Sequence, residues 1–240
     1  PVFAEDAGEK PAAETTAEVP DEAIHITSQQ DLEELALNCR LDTWSRNRTV
    51  VLDNDLVLDG DAAEFLPIPT FGGTFEGSGH TISGLALTDS DAGIGLFDTI
   101  QQSGTVRGLT VVGQVTPSDG DTVGGIAGKN CGRIVDCAFE GVVEGAGSVG
   151  GIAGINETTG QIISSRFQGT ITGEHYVGGI AGQNTGSLIR CRNEGDINTT
   201  AVEVAADFSD LSQLRTTQSV PAGTDIGGIA GFSSGLIQSS

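Results

Sequence analysis

Apolar positions in the middle of this chain recur in a fixed frame. Val-Gly-Gly-Ile-Ala-Gly at Val123–Gly128 returns at Val149–Gly154 and Val177–Gly182, and with one conservative change at Ile226–Gly231. Such self-similarity marks an architecture in which each copy covers its neighbour's hydrophobic face. With Gly104, Gly132, Gly160 and Gly186 as zero, position +2 carries Val106, Ile134, Ile162 and Leu188, and +5 carries Leu109, Cys137, Ser165 and Cys191. Position +7 holds Val111, Phe139, Phe167 and Asn193; +9 is Gly113, Gly141, Gly169 and Gly195; +11 is Val115, Val143, Ile171 and Ile197. The same rhythm is expected earlier as Ile82, Leu85 and Leu87, and it restarts at Gly235 with Ile237. Apolar residues alternate from +5 to +7 and are flanked by turns, a strand-bend-strand pattern rather than a helix. Val123 and Val149 are 26 residues apart, and Val149 and Val177 are 28 apart. That length suits one closed coil of three short strands at about 3.3 Å per residue. No proline interrupts the chain between Pro117 and Pro221, as expected where every backbone N–H joins a ladder. The pattern predicts an all-β solenoid.

Outside the repeats the pattern changes. Residues 1–22 carry seven acids against Lys10 and little apolar surface to offset ordering entropy, which predicts a disordered acidic linker. Residues 23–70 read as an N-terminal cap with the first strands. Ala23–Thr27 is strand-like, Ser28 is placed to cap a helix, and Leu32, Leu35, Ala36 and Cys39 share one helical face. Such a helix could cover the exposed end of a solenoid. The β-helix repeats are expected from Phe71 to Ser240. The step from Val177 to Ile226 is longer than the others, implying an inserted loop at about 199–225 in which residues 207–215 could form a short helix. Insertions of this kind leave the coil at one corner and are where specific function is expected.

Composition narrows the classes. Glycine, at 36 of 240 residues, is abundant without the strict third-residue period of collagen. A net charge of −22 disfavours nucleic acid and anionic lipid as partners. No apolar run approaches the ~20 residues that would span a bilayer, so no membrane insertion is expected from this stretch. Pro1–Glu5 resembles the end of a secretory signal peptide with a cut after Ala4, which predicts export, and Ser240 falls midway through a repeat, as in an excerpt truncated at the C-terminus. The four cysteines, Cys39, Cys131, Cys137 and Cys191, lack the C-x-x-C spacing of zinc sites.

Taken together, Gly95-Leu96-Phe97, the Val-Gly-Gly-Ile-Ala-Gly copies, the turns at Asn130, Asn156 and Asn184, and the lead-in Phe75 to Ile82 resemble the GLUG-motif repeats of exported bacterial surface proteins. Such repeats also occur beside IgA-specific metallopeptidase domains. The resemblance implies a right-handed parallel β-helix on a cell surface. It implies no catalytic residues here, because the H-E-x-x-H zinc motif of those peptidases is missing and His25, His80 and His175 are isolated.

Individual side chains suggest further roles. Asn130, Asn156 and Asn184 should occupy one corner of successive coils, about 4.8 Å apart, and hydrogen-bond along the stack. Phe139 and Phe167 should stack inside with Cys137 and Cys191, which lie two coils apart, roughly 9.6 Å, too far for a disulfide. Asp53 with Asp55, Asp59 with Asp61, Asp89 with Asp91 and Asp119 with Asp121 are acidic pairs in turns; ordinary turn chemistry is the leading reading, with calcium binding, strongest at Asp53, Asp55, Asp119 and Asp121, the alternative. Arg166 and Arg192, with Glu140 and Glu194 nearby, form an outward charged row that could be a salt-linked surface or part of a polysaccharide-cleaving face. Trp44 could stack on a sugar or close the first coil. Catalytic residues and cofactors are not expected. The leading functional expectation is a non-catalytic stalk or adhesion platform whose partner is a host or bacterial surface glycan or protein. The alternatives are an accessory region of a secreted peptidase or carbohydrate-active enzyme, and a β-helix that itself binds or cleaves acidic polysaccharide.

Overall fold

Stacked parallel strands account for the recurring frame. The computed structural model describes residues 23–58, 65–88, 94–117, 120–198 and 224–240. One complete coil runs from Arg133–Val135 through Ala138–Gly145 and Ser148–Gly150 to Ala153–Asn156, and the chain then re-enters the first direction at Gln161–Ile163. A full coil therefore has four strands, not the three expected from its length. The extra corner falls inside the glycine motif: Val149 and Gly150 end one strand, Gly151 and Ile152 bend, and Ala153 begins the next. A Cβ on Gly151 would lie 2.3 Å from the Phe167 ring, so only glycine lets the aromatic of the next coil pack against that corner.

Four parallel sheets result. The first contains eight strands, from Ile24–Ile26 to Leu236–Gln238, and two others contain six and seven. The fourth, Thr122–Gly124 to Thr224–Gly227, has four strands. The register is the one written in the sequence. Val106, Ile134, Ile162, Leu188 and Ile237 pair in a row, as do Val111, Phe139 and Phe167, and Val115, Val143 and Ile171. Their side chains, Ile237 excepted, are buried in one continuous core. In the longest strands the +9 glycine adopts φ +147° at Gly141, where a Cβ would lie 1.8 Å from the Gly113 carbonyl oxygen.

The lead-in departs from the expected spacing. Phe75, not Ile82, pairs with Val106, while Ile82 pairs with Val111 and Leu87 with Val115. Two added residues in the turn around Ser78 and Gly79, both at positive φ, and a bulge between Ser83 and Leu85 absorb the difference. The stack also begins earlier than the glycines do: Ile24–Ile26 pairs with Thr49–Leu52, and that strand with Thr74–Glu76. Glycine enrichment therefore marks the coils with tight corners, not the start of the solenoid.

The helix Gln29–Asn38 closes the first coil. Ser28 accepts the Asp31 N–H while the Asp31 carboxylate accepts the Ser28 N–H, a reciprocal cap. Leu32, Leu35, Ala36 and Cys39 are buried against the core, so the helix takes the place that strands hold in later coils. The segment 1–22 and the insertion as far as residue 223 lie outside the described residues. Beyond that insertion the frame resumes without slippage, with Val177 paired to Ile226 and Ala181 to Ala230.

Candidate functional site

The repeated side chains inside the coils form three ladders. At the corner after the fourth strand, Asn130 Nδ2 donates to Asn156 Oδ1 at 2.8 Å, Asn156 Nδ2 to Asn184 Oδ1 at 2.8 Å, and Asn184 Nδ2 to Ser233 Oγ at 3.0 Å. All three asparagines are fully buried, and Asn130 Oδ1 also accepts the Gly132 N–H. Phe139 and Phe167 lie parallel with centroids 6.3 Å apart. The third ladder holds Cys137, Ser165, Cys191 and Ser240. The Cys137 N–H donates to Ser165 Oγ at 3.2 Å and the Cys191 N–H to Ser240 Oγ at 3.0 Å. Ser165 thus separates the two cysteines, which are free thiols. Burial pushes the Cys137 thiol up to about 12 and raises Cys191 as well. A thiol held protonated is a poor nucleophile and metal ligand, so this ladder fits packing rather than chemistry.

The acidic pairs are engaged separately. Asp53 meets His25 Nδ1 at 2.9 Å, whereas Asp55 accepts the Thr81 N–H at 2.9 Å and lies 3.2 Å from His80 Nδ1. The Thr81 backbone N–H, and then His80, hold the Asp55 carboxyl below its ordinary value. The Asp121 backbone carbonyl accepts the Ser148 N–H, while Asp59, Asp61, Asp89, Asp91 and Asp119 lie outside the described residues. Among the described residues, no group of three or more His, Cys, Asp or Glu side chains is placed to hold a metal ion. On the outer faces, Arg166 pairs with Glu140 at 2.7 Å across coils and Arg192 with Glu194 at 3.2 Å within one, forming short salt links at the surface.

A surface feature of another kind lies at the N-terminal end, where the segment after the helix crosses the edge of the first coils. Two open clefts meet there. One, about 460 Å³, is lined by Arg46, Asn47, Gln101, Gln102 and Ser103; the other, about 520 Å³, by residues 41, 43, 44 and 46–49. Between them the buried Ser45 hydroxyl accepts the Gly72 N–H at 2.9 Å, and Ser103 Oγ donates to the Gly72 carbonyl at 2.8 Å. Gln101 bridges the walls, accepting from Arg46 Nε at 3.2 Å and donating to the Asp42 carbonyl at 2.9 Å. Trp44 packs against the core, and the Arg48 guanidinium sits 4.7 Å from its ring centroid. The indole is therefore built into the cap, with one face occupied by Arg48. Motif reading passed over this cleft because Gln101–Ser103 is remote from Arg46 in sequence. The legible signal was Arg40, Arg46 and Arg48 within nine residues of a chain with only eleven basic ones.

This molecule is a parallel β-solenoid of stacked four-cornered coils with a helical cap. Residues 173–198, one turn of the stack, match the family model described as the GLUG motif. An 89-residue stretch, 37% of the chain, is 37% identical to halomucin of Haloquadratum walsbyi, of whose length it spans 1%. A candidate immunoglobulin A1 protease from Bacteroides ovatus, known from a crystal structure, shares the fold with a TM-score of 0.52. The match covers 90% of this chain and 84% of that one at 15% identity.

Proposed function

We propose that this chain is a non-catalytic module of a secreted or cell-surface protein, acting as a rigid stalk and ligand-binding platform. The supporting observation is the unbroken parallel register of the first sheet from Ile24 to Gln238. Eight strands at about 4.8 Å spacing make a rod roughly 34 Å long whose corners are tied by buried ladders. The apolar and asparagine side chains that recur from coil to coil are buried, so repetition serves length and stiffness. The surface-protein reading also draws on the GLUG motif and the stretch shared with halomucin.

The test has two parts. Small-angle scattering of the isolated chain should give a rod-like profile, and incubation with immunoglobulin A1 and with polygalacturonate should give no cleavage. Turnover that disappears when Arg166 or Glu140 is substituted would overturn the proposal. The fold shared with the Bacteroides ovatus protein favours a second reading, an accessory β-helix region of a secreted peptidase or carbohydrate-active enzyme. A zinc-peptidase motif elsewhere in the same open reading frame would select it.

A further inference from the structure

We propose that the double cleft formed by residues 41–49 and Gln101–Ser103 binds an anionic polysaccharide, with Arg46 and Arg48 receiving its carboxylate or sulfate groups. The inference rests on the platform reading above and gives that platform a site and a ligand class.

Charge distribution is the first support. Acids outnumber bases 33 to 11 in the chain, yet no Asp or Glu is among the residues lining either cleft. Arg107, Lys129, Arg166 and Arg192 each pair with a glutamate, whereas Arg46 and Arg48, like Arg40, Arg133 and Arg190, form no ion pair among the described residues, and of these five only Arg46 and Arg48 line the clefts. Asp42, the acid nearest Arg46 in sequence, is exposed and contributes its backbone carbonyl to Gln101, while Asp53, the acid nearest Arg48, is engaged with His25.

The arginines are also held in place without being saturated. Arg48 lies on the Trp44 ring with Nε donating to the Trp44 carbonyl at 2.6 Å, and Arg46 is fixed through Nε by Gln101. A guanidinium carries five N–H donors, and no other protein acceptor for these two is found among the described residues. Two oriented forks beside one another suit planar or tetrahedral oxyanions better than ammonium groups would.

The remaining lining explains why the ligand is a glycan. Asn47, Gln101, Gln102, Ser103, Thr43 and Thr49 present amides and hydroxyls of the kind that satisfy sugar hydroxyls, and Leu41 is exposed beside them. The clefts are open to solvent rather than enclosed, as a polymer passing through requires. A dense polyphosphate would meet the repulsion of a −22 chain over its whole length. A glycan with one charge per sugar or two exposes less charge to that field.

The test is an amide and side-chain NMR titration of the whole chain with polygalacturonate oligomers and with heparin oligosaccharides, with dextran and poly-glutamate as comparisons. Expected are shifts at the Trp44 indole, the Arg46 and Arg48 Nε–H signals, Asn47 and Gln101–Ser103 with at least one acidic glycan, and none with dextran. Arg46→Gln should weaken binding about tenfold, and Arg48→Lys, which keeps the charge and loses the fork, about threefold, while Arg133→Gln changes nothing. If Arg48→Lys unfolds the cap, Arg46→Gln alone decides. Shifts confined to other faces, equal binding of poly-glutamate, or no shifts with either acidic glycan would overturn the site. A rod-like scattering profile with no binding removes this site and leaves the stalk intact; cleavage of the glycan would remove the non-catalytic reading instead.

Discussion

Asn130 donates from Nδ2 to Asn156 Oδ1 at 2.8 Å with both side chains sealed from solvent, and Asn156 passes the same bond on to Asn184. Asn156 and Asn184 each donate to one coil and accept from another, while the Asn130 oxygen accepts the Gly132 N–H. A buried amide costs little only while both ends are satisfied. Replacing Asn156 by alanine therefore orphans groups above and below, and is expected to destabilise the fold by about 2–4 kcal/mol. Urea unfolding followed by circular dichroism will measure it. The exposed Thr158→Ala should stay within about 0.5 kcal/mol.

Glycine tolerance should follow corner geometry rather than glycine content. In Gly151→Ala the new Cβ would sit 2.3 Å from Phe167 and 2.4 Å from the Gly179 carbonyl oxygen, so a loss of about 3 kcal/mol or more is expected. Gly228→Ala meets nothing within 4 Å and should be close to neutral. A double-mutant cycle of Gly151→Ala with Phe167→Ala should be non-additive by at least about 1 kcal/mol, because alanine lacks the Cγ and Cδ2 atoms that the new Cβ would meet. Additivity would show that the ring does not press on that corner.

Thiol reactivity should sort by depth. Cys137 is buried with its thiol pushed up to about 12, and Cys39 with its thiol up to about 11, whereas Cys131 is half exposed. Cys131 should therefore react first with a disulfide reagent at mild pH, and Cys137 only after unfolding. Mass spectrometry of partially labelled protein resolves the order. Cys137→Ser places there the residue type that already occupies the ladder at Ser165, so a correctly folded protein is expected.

Acid should weaken the N-terminal end first. Hydrogen bonds from Thr27, with Ser28 adding to them, lower the Asp31 carboxyl, and the Thr81 backbone N–H lowers Asp55. Both groups titrate below their unfolded value, so their contribution is fully present above the ordinary carboxyl range near pH 4. It is lost as pH falls through the folded values. Asp31→Asn should flatten the stability-pH profile at its acidic end, read from thermal melts between pH 2 and 6. Ser28→Ala should cost about 1 kcal/mol at neutral pH through loss of the cap.

Much of the core frame was legible because each repeat states it again. The +2, +7 and +11 residues follow from glycine spacing alone, since a parallel coil places equivalent residues directly above one another. The lead-in at Phe75 was misaligned because its turn holds two more residues than later turns, and one copy offers no repetition to reveal an insertion. The four-strand coil was likewise hidden: whether Gly151 sits within a strand or at a corner depends on the Phe167 ring packed beneath it.

The cleft shows the same division from the functional side. Composition and order determined that the chain would build a stack, which residues would face inward, and that its outer surface would be acidic. Only the tertiary structure decided that Gln101, remote from Arg46 along the chain, would grip that arginine beside Trp44 and Arg48. Inward positions are set by periodicity, which a linear string carries in full. Where a non-repeating segment lands on the finished rod depends on which edges and corners the folded coils leave open, and no local pattern encodes that.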